Sequence, residues 1–190
     1  MHVLLINGSP HEKGCTYTAL SLVAGELNAA GITTEILNVG TKPVGGCIGC
    51  GGCAKGNGCV FGGVVNEAIE KARTADAFVF GTPVHYASAS GNMTSFLDRL
   101  AYAGGKYLAY KPAAICASAR RAGTTSALDQ LVKYPEFFHM PLVSGSYWPM
   151  VHGSNPEQVL QDEEGCAVMK ELGRNMAWLC LLYTSDAADD

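Results

Sequence analysis

The chain has 190 residues, 48% of them hydrophobic and 16% charged, with 13 basic against 17 acidic side chains and a net charge of −4. That is enough apolar material for one buried core, and too little positive charge for a nucleic-acid footprint or a polybasic membrane patch. No signal peptide or membrane span is evident, because the apolar run Val3–Ile6 stops at Gly8-Ser9-Pro10 and no stretch approaches ~20 apolar residues. The cytoplasm is the expected compartment, so the 8 cysteines point to metal or redox chemistry more than to a disulfide framework.

The last eleven residues, Cys180 to Asp190, read as the in-frame translation of a sequencing adapter, and a natural acidic tail is the alternative. On the first reading the native domain spans residues 1–179. Setting aside Asp186, Asp189 and Asp190 leaves 14 acidic against 13 basic residues, a net charge of −1.

Strands and helices alternate along the rest. Val3–Ile6 has the continuous apolar character of a strand buried on both faces. Leu20, Val23, Leu27 and Ala30 mark one helix face that ends at Gly31. Thr33–Val39 reads as a second strand, and residues 40–63 as a glycine- and cysteine-rich loop. Val64, Ala68, Ile69 and Ala72 predict a helix, and Ala77–Phe80 a third strand ending at Gly81-Thr82-Pro83. Met93, Phe96, Leu97 and Leu100 predict the next helix, Ala113–Ala117 a fourth strand, and Ser126–Phe137 another helix. Pro141–Ser146 is expected to be the fifth strand, and Asn155-Pro156 opens a last helix carrying Val168, Leu172 and Met176. Five such units predict an α/β fold in three layers, a five-stranded parallel sheet with helices on both faces. Ligands of such sheets bind beyond the carboxyl ends of the strands, which directs attention to Gly8–Thr16, Thr82–Ser90 and Ser118–Thr124.

The first of these loops suits a phosphate. A helix N-terminus offers unpaired N–H groups and a positive dipole end, Ser9, Thr16 and Thr18 add hydroxyls, and Gly14 allows close backbone approach. Cys15 contributes its backbone N–H. The dinucleotide pattern G-x-G-x-x-G and the G-x-x-x-x-G-K-[ST] loop are both missing, so a single terminal phosphate such as that of FMN is favoured over a pyrophosphate. The plainer alternative is a Ser/Gly turn that caps a helix. Pro83, Val84, His85 and Tyr86 offer small walls and ring surfaces for a flat group; a loop histidine without a direct role is the alternative for His85. Arg120 and Arg121 could support the electron-rich edge of a reduced flavin, or be solvated surface side chains. A cysteine-dependent phosphatase is set aside because Cys116 lies inside an apolar strand and the Cys116–Arg120 spacing is too short.

Cys47, Cys50, Cys53 and Cys59 form C-x2-C-x2-C-x5-C, whose first three members repeat the run that wraps a [4Fe–4S] cluster. A cluster, free or redox-active thiols, and zinc all remain open, with iron favoured over zinc because zinc prefers separated pairs.

Gly8-Ser9-Pro10 with Gly14-Cys15-Thr16, then Gly81-Thr82-Pro83-Val84-His85-Tyr86, then Ser118-Ala119-Arg120-Arg121-Ala122-Gly123 resemble the NADPH-dependent FMN reductase group of flavodoxin-like proteins, nearest its iron–sulfur flavoprotein and multimeric-flavodoxin branch. The resemblance runs from Met1 to about Leu179. It implies the flavodoxin-like strand order 2-1-3-4-5, bound FMN, and a homodimer or tetramer with flavin sites near the subunit contact. It places phosphate at Ser9, Gly14, Cys15 and Thr16, and the ring between Pro83, Val84, His85, Tyr86 and Ser118, Arg120, Arg121, Gly123. Tyr147-Trp148 could close the site across the dimer, or simply pack in the contact. Relatives usually carry Asn at position 15 and acidic residues where Gly62-Gly63 stand here.

Three functions are consistent with these motifs. The first is an NAD(P)H oxidoreductase that reduces quinone, azo, nitro or flavin acceptors by ping-pong hydride transfer through FMN, with no catalytic side chain required. The second is an iron–sulfur flavoprotein carrying electrons between a ferredoxin-like donor and FMN. The third is a thiol-based redox sensor.

Overall fold

A computed structural model describes residues 1–185. Residues 186–190 of the suspected adapter segment lie outside the described residues. The parallel sheet comprises β1 (His2–Asn7), β2 (Thr33–Asn38), β3 (Ala77–His85), β5 (Ala113–Ala119) and β6 (Met150–His152), in the order β2-β1-β3-β5-β6. A two-residue strand, β4 (Ser88–Ala89), folds back antiparallel on the end of β3. With that hairpin set aside, the order of the parallel strands is the expected 2-1-3-4-5, and β4 raises the strand total to six.

Strand alternation sorts the apolar side chains into two layers. Leu4, Ile6, Phe78, Phe80, Ala113 and Ile115 face α2 (Val64–Thr74), α3 (Gly91–Gly104) and α4 (Thr124–Phe137). Val3, Leu5, Ala77, Val79, Ala114 and Cys116 face α1 (Cys15–Ala29) and α6 (Glu163–Ser185). Because both faces are covered, β1, the first part of β3, and β5 read as unbroken apolar runs. At about 25 cal/mol per Å² of apolar surface removed from water, these two layers are the main source of stability.

Three boundaries differ from expectation. Pro141–Ser146 does not form the fifth strand. Only Leu142 bridges to Ala113, with the Ala113 N–H on the Pro141 carbonyl (2.9 Å) and the Val143 N–H on the Ala113 carbonyl (2.8 Å), after which residues 144–148 leave the sheet edge and the strand resumes as Met150–His152. The excursion carries the exposed Tyr147 and Trp148, whose rings meet edge to face at 4.7 Å. Strand β3 does not stop at Phe80. It continues through Pro83, paired with Ser118, because β5 runs alongside it and β4 then closes the hairpin. The last helix is two helices, α5 (Pro156–Gln161) and α6, broken at Asp162. Asp162 accepts the Gly165 N–H at 3.0 Å and the His152 N–H at 2.7 Å, so it caps α6 while tying it to β6. Helix α6 continues past Leu179 to Ser185, and Cys180 is fully buried.

The loop between β2 and α2 is largely irregular, with one short turn of 3₁₀ helix at Gly52–Lys55. Its ends are tied down. Asn92 of α3 donates to the carbonyls of Gly40 (3.0 Å) and Lys42 (3.1 Å) and accepts from the Val44 N–H. Asn66 of α2 pairs with both the N–H and the carbonyl of Cys59, at 2.8 and 3.0 Å. No helix among the described residues is long and apolar enough to cross a membrane.

Candidate functional site

The turn from β1 into α1 is organised by Asn7, a fully buried residue whose role sequence reasoning missed. Its Oδ1 accepts the Ser9 N–H at 3.1 Å, and its Nδ2 donates to Asn38 Oδ1 (2.8 Å) and to the Glu12 carbonyl (3.2 Å). Ser9 Oγ in turn accepts the His11 N–H. The loop is held shut from the inside, and Gly40 packs against its outer wall. A Cβ on Gly40 would lie 2.4 Å from the carbonyl oxygens of Gly8 and Ser9.

Helix α1 opens without a side-chain cap: Gly14 at its N-cap has none to offer. The first N–H groups of a helix have no intrahelical acceptor, so those of Cys15, Thr16 and Tyr17 remain available to an anion. Thr16 Oγ1 meets Ser118 Oγ at 2.8 Å, which joins the start of α1 to the end of β5. Cys15 directs its thiol away, to the Gly153 carbonyl at 3.5 Å, and burial pushes that thiol above its ordinary pKa range. Only its backbone is left for a phosphate.

Beyond β3, Thr82 and Ser90 lock the hairpin. Thr82 Oγ1 accepts the Ser90 N–H at 3.0 Å, and Ser90 Oγ donates to the Gly8 carbonyl at 3.0 Å while capping α3. The tip residues Tyr86 and Ala87 both have positive φ, 49° and 58°, as a two-residue hairpin turn demands. Gly123 sits under that tip with φ 96°, and a Cβ there would fall 2.6 Å from Ala87 Cα.

These loops surround one open cavity of about 300 Å³. Its lining includes Ser9, Cys15, Thr16, Pro83, Val84, His85, Ser118 and Arg120 of the expected set, together with His11, Gly153 and Ser154. Gly14, Tyr86, Arg121 and Gly123 are outside the lining. Gly14 shapes the helix start, Gly123 supports the hairpin, Arg121 is exposed, and Tyr86 projects fully into solvent. Asn7, Thr82 and Ser90 were legible only in retrospect, as polar residues at strand ends or before a helix. An uncapped helix start, buried hydroxyls and small apolar walls around one opening at the carboxyl edge of the sheet fit a flavin mononucleotide.

Cys47, Cys50, Cys53 and Cys59 line a second cavity of about 250 Å³, with Phe61, Arg99 and Tyr102 beside them. All eight cysteines are free thiols. Among the described residues no three His, Cys, Asp or Glu side chains converge as they would around a single metal ion. Four cysteines thus line this one cavity, in a loop whose glycines at positions 49, 51, 56 and 58 take the left-handed conformation.

The profile of the NADPH-dependent FMN reductase family matches residues 1–155. The chain belongs to that family. As an FMN reductase-family protein it is a flavin-linked oxidoreductase. It is 30% identical over 175 residues to an iron–sulfur flavoprotein of Archaeoglobus fulgidus, covering 90% of this chain and 86% of that one. It is 26% identical over 185 residues to an iron–sulfur flavoprotein of Methanocaldococcus jannaschii, covering 93% and 96%. Among solved structures, RosB with a bound formylriboflavin phosphate intermediate superposes with a TM-score of 0.75 at 15% identity, over 97% of this chain and 81% of that one. An archaeal flavodoxin superposes with a TM-score of 0.64 at 12% identity, over 95% and 99%. Those two likenesses establish for this FMN reductase-family chain the flavodoxin-like fold.

Proposed function

We propose that this protein binds FMN at the Ser9–Thr16 loop and uses NAD(P)H to reduce small acceptors of quinone, azo, nitro or flavin type in ping-pong order. The observation that carries the reading is that Ser9, Thr16, Pro83, Val84, His85, Ser118 and Arg120, from three separate loops, line one cavity. When bound, FMN would supply hydride acceptance and donation. The chain's own part is to hold and orient. The uncapped α1 N-terminus and the hydroxyls of Ser9 and Thr16 bind the phosphate, with the helix dipole adding to their attraction. Pro83 and Val84 form a rigid apolar wall that keeps water from one side of the ring, and His85 extends it. Arg120, at the rim, places a positive charge where negative charge grows on reduction. No side chain is asked to act as acid or base. The exposed Tyr86, Tyr147 and Trp148 support a homodimer or tetramer in which a second subunit covers them. In the test, purified protein is reconstituted with FMN and NAD(P)H oxidation is followed with a quinone acceptor. Parallel-line kinetics with saturable turnover are expected, and absence of flavin binding overturns the reading.

A second reading adds an iron–sulfur centre held by Cys47, Cys50, Cys53 and Cys59, which would pass single electrons between a ferredoxin-like donor and FMN. Two observations favour it: the four thiols share one cavity, and the two curated relatives are named iron–sulfur flavoproteins. Anaerobic iron and sulfide analysis tests it, with about four of each per chain expected and none overturning it.

A further inference from the structure

Arg99 is a buried charge that the flavin site does not use. Its side chain, on α3, is 6% exposed, yet among the described residues no carboxylate lies within ion-pair distance of it. Its Nε donates to Cys59 Sγ at 3.2 Å, and its two terminal nitrogens donate to the carbonyls of Gly45 (3.4 Å) and Gly62 (3.0 Å). The guanidinium carbon stands 5.5 Å from the centre of the Phe61 ring. These neutral partners take three of its five N–H donors and leave its charge uncancelled, and a buried cation without a counter-ion is costly. The cavity that Arg99 lines is also lined by all four loop cysteines, whose sulfurs bind metal as thiolates.

We propose that Arg99 is the fixed counter-charge of this four-thiolate ligand set, a positioning residue that seats Cys59 and raises the reduction potential of the iron–sulfur centre held there. The inference rests on the second reading above and goes beyond it by naming what sets the potential. Reduction adds negative charge to the centre. A cation fixed against one ligand therefore stabilises the reduced form, and an N–H donated to the sulfur acts in the same direction.

Two variants separate charge from hydrogen bonding. Arg99→Gln keeps a donor without the charge, whereas Arg99→Lys keeps the charge without the planar fork. Full-length protein is reconstituted anaerobically with iron and sulfide, assayed for both, checked for fold by circular dichroism, and titrated against redox mediators. At the wild-type midpoint, Arg99→Gln is expected to lower the ratio of reduced to oxidised centre at least tenfold, which is 59 mV for a one-electron couple. Arg99→Lys is expected to stay within about threefold, since it keeps the charge. Unchanged potentials in both variants overturn the proposal, as do equal falls in both, which would assign the effect to the fork rather than the charge. If Arg99→Gln loses its iron, the iron content becomes the readout: retention by Arg99→Lys supports the proposal, and loss from both overturns it. A wild-type chain that takes up no iron overturns the cluster reading itself, and this inference with it.

Discussion

Thr16 Oγ1 and Ser118 Oγ lie 2.8 Å apart and buried, although 102 residues separate them in the chain. This contact fixes the distance between the β1–α1 loop and the end of β5, and so the space between them where the proposed FMN would lie. Removing one hydroxyl leaves the other unsatisfied, at a cost of about 1–2 kcal/mol. Thr16→Val and Ser118→Ala are each expected to weaken FMN binding about tenfold without altering the circular dichroism spectrum. Quenching of flavin fluorescence on titration into apoprotein measures the change.

Gly40 buttresses the same loop from behind. A methyl group there would press on the carbonyls of Gly8 and Ser9 at 2.4 Å, and backbone cannot yield as a side chain can. Gly40→Ala is expected to cost about 1–3 kcal/mol of stability and at least tenfold in FMN affinity. Thermal denaturation with and without FMN separates the two effects: a fall in Tm that excess FMN fully restores would mean the loop geometry is intact.

The hairpin tip depends on Gly123. Its φ of 96° is strained for any side chain, and its Cβ would meet Ala87 Cα at 2.6 Å. Gly123→Ala is expected to cost about 1–3 kcal/mol and to displace the hairpin that carries His85. Steady-state kinetics should show a raised KM for the acceptor with a smaller change in kcat, and an unchanged KM would count against this placement of the hairpin.

Alkaline pH tests the core. Burial pushes the Cys116 thiol from its ordinary 9.0 up to about 12. Above pH 9 the unfolded chain releases that proton while the folded chain keeps it, so stability is fully present below pH 9 and falls as pH rises towards 12. The slope is about 1.4 kcal/mol per pH unit for this one thiol. Urea denaturation at pH 8, 9, 10 and 10.5 should show the decline in wild type, and Cys116→Ala should lessen it by this thiol's share, the burial-raised Cys180 thiol contributing to what is left.

Thiol accessibility gives a further check. In protein stripped of iron by a chelator under reducing conditions, brief alkylation is expected to label the exposed Cys47 and Cys50 first. The buried Cys116 and Cys180 should react only after denaturation. Peptide mass mapping reads the order, and early labelling of Cys116 would contradict its burial on the face of β5 that α1 and α6 cover.

The layered sheet was legible because its central strands are covered on both faces, which writes them as apolar runs such as Val3–Ile6 and Ala113–Ala117. The edge strand was not. Only three residues of β6 pair, and the apolar stretch around Val143 that resembles a strand makes a single bridge to β5 at Leu142 before the chain leaves the edge. The hydroxyls of the β1–α1 loop and its place before a helix were readable in the sequence. Asn7 was not, because a polar residue ending a strand looks like a boundary until its amide is seen holding the loop. The resemblance places Tyr86 at the ring, and in the single chain the two-residue turn it occupies points it outward, a turn conformation the sequence does not announce.

Asn92, Asn66 and Arg99 grip the cysteine loop only near its two ends, and the span between Ile48 and Gly58 owes its course to its own glycines. A segment anchored that way behaves as a cassette. Its interior can be lengthened, shortened or stripped of cysteines without disturbing the strands or the phosphate loop, since loop-closure entropy changes only slowly with length. The interior of the cysteine loop is therefore free to vary under selection independently of the β1–α1 loop, the two being coupled at the loop's ends through Gly40, which packs behind Gly8 and Ser9, and through Asn92 and Arg99 of α3.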